Sequence, residues 1–301
     1  MKRALLCCVV VLLTACAGPA PEVDPEYRAE IESWRAERLE RLTSDTGWLT
    51  LVGLYWLESG INRFGADPGN EIPIDVPDIP ALAGTIEVGA DGSVVARALH
   101  GTDLRVNSEP VVESSLKTDA QGPPDVVKIG RANFYIIERG GKLAARVKDS
   151  QASTRATFSG IDHFPVDPES RVVATLEPYD APREVKIPTV VGTPTTMLAP
   201  GLLRFSLNGE KLALEPYVSS PEDASYFLIF RDRTSGEETY GAGRFLSADT
   251  VGPDGTTVLD FNLAYNPPCA FTPFATCPLP TPQNSLTVAV QAGERFEGEK
   301  H

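Results

Sequence analysis

The chain has 301 residues, with 41 acidic and 27 basic side chains and a formal net charge of −14. A negative field of this size repels nucleic acid and anionic lipid surfaces, so neither is an expected partner. Hydrophobic residues make up 42% of the chain, which favours a packed core over disorder. The 25 Gly and 26 Pro residues favour short strands joined by turns.

The first sixteen residues have the layout of a secretion signal. A basic start precedes the apolar run 4–13, which is shorter than the roughly 20 residues of a membrane-spanning helix. Thr14 and Ala15 then precede Cys16, and this resembles a bacterial lipoprotein signal. The resemblance implies cleavage of residues 1–15, lipidation of Cys16 (palmitate among the acyl chains) and anchoring to a bilayer. The alternative is an ordinary secretory signal in which Cys16 is incidental.

The residue after the lipidation site suggests the destination. Ala17 stands where an Asp would tend to retain a lipoprotein on the inner membrane, so the resemblance implies a periplasm-facing protein of the outer membrane. Residues 16–25 are Pro-rich and acidic and are interpreted as a tether. The pattern then predicts a helix over 25–42, with Asp24 as N-cap and Pro25 at the first helical position.

Strand patterns follow the helix, recurring every eight to twelve residues. The predicted strands cover residues 48–57, 60–64, 71–76, 85–88, 93–98, 104–106, 111–113, 126–129, 134–139, 142–148, 171–177, 183–188, 201–207, 211–216, 226–231, 239–245, 257–261 and 286–292. Turn signals lie at 90–92, at Gly140-Gly141 and at Asn208-Gly209. A change of composition over 149–164 divides the chain near residue 150. The predicted fold is mainly β, with a helix and a β lobe over 26–150 and a second antiparallel β lobe, barrel or sandwich, over 151–301.

The N-terminal lobe resembles a forkhead-associated (FHA) domain. The similar segments are GINRFGADPGNEI at 60–72, LRVNSEP at 104–110 and IGRANF at 129–134. The resemblance implies a β-sandwich of a class that reads phosphothreonine. The family's Ser-x-x-His motif is absent, and its loop Asn-Gly is Asn107-Ser108 here. Arg63 and Asn107 remain as the residues that would face a phosphopeptide.

Most of the mature chain resembles the domain of unknown function 1684 family. The matching segments are FPVDP at 164–168, FRDRTSGEETYGAGRF at 230–245 and DFNLAYNPPCAFTPFATCPLPTPQN at 260–284. Leu263 departs from the family, which usually carries Arg there. This resemblance implies a fold unit and supplies no activity.

Two cysteines remain in the mature chain once the signal is removed and Cys16 is lipidated. Outside the cytoplasm, nearby thiols such as Cys269 and Cys277 tend to oxidise, which predicts a disulfide closing residues 270–276. The runner-up is a two-Cys metal site, but the spacing is not C-x-x-C and no His lies close in sequence. No metal or other cofactor is expected.

A dense set of polar residues gives the best candidate site. It comprises Arg231, Asp232, Tyr240, Arg244, Asp260, Asn262, Tyr265 and Asn266. If the strands pair, Arg244 and Asp260 could meet across the sheet, and a guanidinium beside a carboxylate suits recognition of a small polar ligand. The competing interpretation is a buried structural ion pair.

No nucleophile elbow, phosphate loop or dinucleotide fingerprint is present in the sequence. The leading hypothesis is a membrane-anchored envelope protein that binds a small polar ligand or an envelope protein. The alternative is an envelope hydrolase using Asp260 with Tyr240 or Tyr265, so whether the chain is an enzyme stays open. A third hypothesis is an assembly factor, which requires an exposed apolar stripe on the N-terminal helix at Ile31, Trp34 and Leu42.

Overall fold

The computed structural model describes residues 23–296. The predicted signal, the lipidation site Cys16 and most of the tether therefore lie outside the described residues. Between residues 23 and 296, no helix combines the length and apolar character needed to cross a membrane.

Helix α1 spans Pro25–Thr43 and begins as the sequence predicts. The Asp24 carboxylate accepts hydrogen bonds from the backbone N–H groups of Glu26 and Tyr27, which would otherwise have no partner in the first turn. One face of the helix is buried, with Ile31 2% and Leu42 1% exposed. The exposed stripe that the assembly-factor hypothesis requires is therefore absent, because these side chains pack against the protein itself.

The N-terminal lobe is a sandwich of two sheets, as predicted. Its strands are β1 Leu51–Trp56, β2 Gly60–Gly65, β3 Ile72–Pro73, β4 Gly84–Val88, β5 Val94–Ala98, β6 Leu104–Val106, β7 Glu109–Pro110, β8 Glu113–Ser115, β9 Val127–Ile129, β10 Ala132–Arg139 and β11 Lys142–Asp149. One sheet has the order β1-β11-β10-β9-β6-β7 and the other β3-β2-β4-β5-β8. All pairs are antiparallel except β2–β3. The core between the sheets includes Phe64 and Phe134, whose rings meet edge to face.

The C-terminal lobe packs an open four-stranded sheet against a two-stranded hairpin. The sheet is formed by β12 Arg171–Ile187, β13 Thr195–Leu207, β14 Glu210–Leu214 and β17 Thr256–Asp260, and the hairpin by β15 Ser225–Phe230 and β16 Arg244–Asp249. The sheet order is β14-β13-β12-β17, and within the described residues it does not close into a barrel. Asn208 and Gly209 turn β13 into β14 at φ of 53° and 76°, which is the hairpin conformation that this dipeptide favours.

Several predicted strands differ in the structure, and the two patterns at 171–177 and 183–188 form one long strand, β12. Residues 48–50 form a 3₁₀ turn, Trp48–Thr50, before β1 begins. The predicted strand 239–245 is mostly turn, and β16 starts only at Arg244. Residues 286–292 bury alternate side chains, yet they form no strand, and Thr287 and Val288 lie in a bend.

Cys269 and Cys277 form the predicted disulfide, with their Cα atoms 6.2 Å apart. The Pro-rich segment 267–282 that contains them, called here the cystine loop, covers one side of the C-terminal lobe. It also contacts the N-terminal lobe, because Arg139 and Arg146 both donate to the Thr276 hydroxyl.

Candidate functional site

Asp232 and Arg244 form an ion pair whose two side chains are fully buried. Arg244 Nη2 lies 3.0 Å from Asp232 Oδ2, and the same guanidinium donates to the carbonyls of Val290, Ala292 and Glu294. These bonds satisfy carbonyls of the C-terminal segment, which also makes backbone hydrogen bonds to residues 231–233. The ion pair therefore helps to fasten the C-terminal segment to the hairpin.

Arg244 does not meet Asp260, so the expected cross-strand contact was wrong. Strand β16 pairs with β15, which places Arg244 opposite Phe230. Asp260 ends β17, which pairs with β12, and it lies opposite Arg171. Arg244 therefore belongs to a buried ion pair, as the structural interpretation expected, but its partner is Asp232 and not Asp260.

Asp260 belongs to a hydrogen-bond network under the start of α1. Its Oδ2 accepts from the Tyr27 hydroxyl at 2.7 Å, and its Oδ1 accepts from the Asn262 backbone and side chain, each at 3.0 Å. Arg171 Nε lies 3.7 Å away. Burial, followed by the neighbouring Asp260 carboxylate, raises the pKa of the Tyr27 phenol. The network joins α1 to the C-terminal sheet.

A pocket of about 400 Å³ adjoins this network between α1 and the strands β12, β16 and β17. Asp260 is the sole member of the predicted set that lines it. The carboxylate of Asp260 already accepts three hydrogen bonds from its own chain. The pocket therefore lies beside a hydrogen-bond network in which the Asp260 carboxylate already has its partners.

Tyr265 and Asn266 secure the middle of α1. Arg38 donates to the Asn266 carbonyl at 2.9 Å and to Glu294 Oε1 at 3.1 Å, and its guanidinium lies 4.9 Å from the Tyr265 ring centre. The other Glu294 oxygen accepts from the Asn266 N–H at 2.7 Å. Burial raises the pKa of Glu294, and Arg38 opposes that shift. These contacts join α1, which the sequence grouped with the N-terminal lobe, to the C-terminal lobe as well.

The remaining members of the predicted set lie elsewhere. Arg231 is exposed, and the Tyr240 hydroxyl donates to the Cys269 carbonyl at 3.1 Å. The eight residues thus occupy separate networks and do not line one common cleft. The candidate phosphopeptide reader Arg63 is held by Glu71, with its Nε 3.0 Å from Glu71 Oε2.

A different pocket, of about 340 Å³, lies where the two lobes meet. We call it the interlobe pocket. Trp48, Arg139 and Arg146 contribute its N-terminal wall. Its C-terminal wall comes from β13, the hairpin and the cystine loop, with lining residues that include Met197, Phe227, Phe245 and Thr276. Most of the lining is apolar, and the two arginines lie together at the Thr276 side.

Arg146 is a buried cation with no carboxylate beside it. The residue is 3% exposed, and no Asp or Glu among residues 23–296 lies within 4.0 Å of its guanidinium. The guanidinium carbon lies 5.2 Å from the Trp48 ring centre and 5.9 Å from that of Tyr135. Its Nη2 donates to the Thr276 hydroxyl at 3.1 Å, while its Nε has no hydrogen-bond partner.

The surroundings of Arg146 add positive charge. Arg139 also donates to the Thr276 hydroxyl, at 3.3 Å, but its own charge is balanced by Asp119 at 2.8 Å. Lys148 follows two residues after Arg146 on the same face of β11 and donates to the Thr46 carbonyl. Burial, and then the charge of Arg146, lowers the pKa of Lys148. Lys148 does not line the pocket, so Arg146 is the lining cation without a carboxylate partner, in a chain of net negative charge.

Sequence reasoning missed this pocket because its residues lie far apart along the chain. Arg146 and Thr276 are separated by 130 positions. The available signal was the segment ARVKD, in which two cations share one strand face beside the predicted Gly140-Gly141 hairpin. Within residues 23–296, no group of three His, Cys, Asp or Glu side chains is arranged to hold a metal ion.

Comparison with known proteins gives a family match over part of the chain and no activity. Residues 156–295 match the profile of the family described as protein of unknown function (DUF1684). The chain is 35% identical to an uncharacterised protein of Haloarcula marismortui with an NMR structure, covering 48% of this chain and 80% of that one, with a TM-score of 0.41. No curated protein matches this chain.

FHA domains are also among the similar solved structures. The FHA domain of the CT664 protein from Chlamydia trachomatis is 21% identical and covers 33% of this chain and 95% of that chain, with a TM-score of 0.23. The FhaA FHA domain, solved in complex with the intracellular domain of Rv3910, is 16% identical and covers 32% and 97%, with a TM-score of 0.23. Over residues 156–295, the chain is therefore similar to the DUF1684 family of proteins of unknown function.

Proposed function

We propose that this chain is a lipid-anchored protein of the bacterial envelope whose folded part binds a small ligand in the interlobe pocket. The observation that supports binding most strongly is the composition of that pocket. Its volume of about 340 Å³ falls in the usual range of ligand sites, roughly 300–1,000 Å³. Apolar walls with a few convergent polar groups at one end are the usual lining of such sites.

The position of the pocket adds support. Its walls come from both lobes and from the cystine loop, which the disulfide and several prolines stiffen. A site with stiff walls loses little conformational entropy on binding. The hydrolase alternative has less support, because the Asp260 carboxylate accepts hydrogen bonds from Tyr27 and Asn262 and lies near Arg171.

Filling the pocket tests the binding proposal. Met197 lines the interlobe pocket, whereas its neighbour Thr196 is exposed on the other face of β13. Binding of 3-phenylpropionate and 3-phenylpropanamide would be followed by saturation-transfer NMR. We expect Met197→Trp to abolish the signal of the bound compound and Thr196→Trp to preserve it, with both variants folded by circular dichroism. Equal signals from both variants would refute binding in this pocket.

The anchoring proposal rests on the sequence around Cys16. Mass spectrometry of the mature protein should show an N-terminal Cys16 carrying lipid, and sucrose-gradient fractionation should place the protein in the outer membrane. Cys16→Ser should leave the chain unlipidated. An unlipidated wild-type Cys16, or wild-type protein released in soluble form, would contradict the proposal without affecting the pocket.

A further inference from the structure

The geometry points to a specific ligand class for the interlobe pocket: a small monoanionic acid with an apolar body. This inference rests on the proposed function and adds the charge and shape of the ligand. Its basis is Arg146, which is almost fully buried, lines the pocket and has no carboxylate partner among the described residues.

A guanidinium in such a position lacks the partner that buried charges usually have. Charged groups taken out of water are ordinarily paired or neutralised, because desolvation of an isolated ion is costly. The rings of Trp48 and Tyr135 offset part of that cost through cation–π contact. They supply no anion, and the Nε–H of Arg146 still has no acceptor.

The hydroxyl of Thr276 marks where an acid would bind. It accepts hydrogen bonds from both Arg139 and Arg146, so two guanidinium groups already converge on one oxygen atom. A carboxylate entering from the pocket offers two oxygens to the same donors, which matches the forked geometry of arginine. Asp119 neutralises Arg139, so about one positive charge is left for the ligand, which favours a monoanion.

The remaining walls define the other half of the ligand. Phe227, Phe245 and Met197 present apolar surface away from the two arginines. A ligand carrying charge along its whole length would leave that charge unpaired against these side chains. The ligand therefore has one acidic end and an apolar body that fits within about 340 Å³.

A series of three compounds with one ring and different charge tests this inference on the full chain. Isothermal titration calorimetry would compare 3-phenylpropionate, the neutral 3-phenylpropanamide and the cationic 3-phenylpropylamine, with octanoate and octanamide as a second apolar body. We expect each acid to bind at least ten-fold more tightly than its amide, because hydrogen bonds between charged partners are the stronger class. The amine should not bind measurably.

Two arginine variants test whether Arg146 is the source of the preference for acid over amide. Arg146→Met should remove the preference for acid over amide, whereas Arg97→Met, which deletes an exposed cation on the other sheet of the N-terminal lobe, should retain it. If Arg146→Met does not fold, the comparison of acid, amide and amine on the wild-type chain still decides the matter. Equal affinity of acid and amide would overturn the inference and leave the proposed function standing. Failure of all five compounds to bind would overturn both the inference and the proposed ligand binding in this pocket.

Discussion

Replacement of Arg244 by methionine should destabilise the protein severely, because this one side chain fastens the C-terminal segment. The methionine keeps most of the side-chain volume but removes every guanidinium donor. Asp232 would remain buried as an anion, although it would still accept from Thr234 and from the Val290 N–H. The carbonyls of Val290, Ala292 and Glu294 would lose their Arg244 donors.

The size of the effect follows from these losses. Removal of one partner of a buried ion pair costs about 3–5 kcal/mol. Each carbonyl that loses a donor adds on the order of 1 kcal/mol, although such terms are not additive within one network. We expect a loss of at least about 4 kcal/mol, against a total stability of roughly 5–15 kcal/mol for a typical protein. Deletion of both charges in Asp232→Leu/Arg244→Met should cost less than the sum of the single changes.

The assay is urea unfolding of the full chain at pH 7, followed by tryptophan fluorescence. Arg204→Met is the matched control, since it breaks an exposed ion pair with Glu177 and should change stability little. Hydrogen exchange should show residues 286–294 losing protection in Arg244→Met. A loss below about 1.5 kcal/mol, or unchanged exchange in that segment, would refute the role assigned to Arg244.

Three further changes test other parts of the structure. Reduction of the Cys269–Cys277 disulfide, which spans 8 positions, should lower the free energy of unfolding by up to about 2.5 kcal/mol, because the unfolded chain gains loop entropy. It should also weaken ligand binding, and melting temperature and calorimetry with and without reductant would measure the two effects. Tyr27→Phe removes a hydrogen bond to Asp260 and should cost about 1–2 kcal/mol, with faster hydrogen exchange in α1. Burial, and then Arg35, lowers the pKa of His163 to about 4, so stability should fall below pH 6.5, where the unfolded chain takes up a proton that the fold excludes.

Each of these changes has a control variant or an outcome that would contradict it. For the disulfide, Cys269→Ser/Cys277→Ser should match the reduced wild type and should not respond to reductant. For Tyr27, unchanged exchange in α1 would show that the Asp260 contact does not hold the helix. For His163, the loss between pH 7 and pH 5 should be roughly 1 kcal/mol after allowance for partial solvent contact. His163→Gln should not show it, and an equal pH slope in both proteins would contradict the assignment.

Local signals in the sequence predicted much of the fold. Asp24 and Pro25 fixed the start of α1, and Asn208-Gly209 fixed the β13–β14 hairpin, because each feature depends on neighbouring residues alone. The segment 286–292 was harder to interpret. Its side chains alternate between buried and more exposed positions, as they do in a strand, although these residues form no strand. The Arg244 guanidinium and a few backbone hydrogen bonds to residues 231–233 satisfy this segment in place of a regular strand ladder.

The candidate site depended on contacts that no local pattern contains. Arg244 and Asp260 lie on strands that pair with different neighbours, so their closeness in sequence did not bring them together. Arg146 looks like an ordinary strand cation in the sequence, and such residues usually face water. Its burial arises because Trp48 and Thr276, from distant parts of the chain, close over it.

A crystal structure of the full chain with 3-phenylpropionate would show whether the interlobe pocket binds an acid at Arg146. We expect the phenyl ring to lie against Phe245 and Met197 in the interlobe pocket, with the carboxylate at hydrogen-bond distance, about 3 Å, from the Arg146 guanidinium. An empty pocket at saturating ligand, or a ligand bound elsewhere while Arg146 keeps its contact with Thr276, would contradict it.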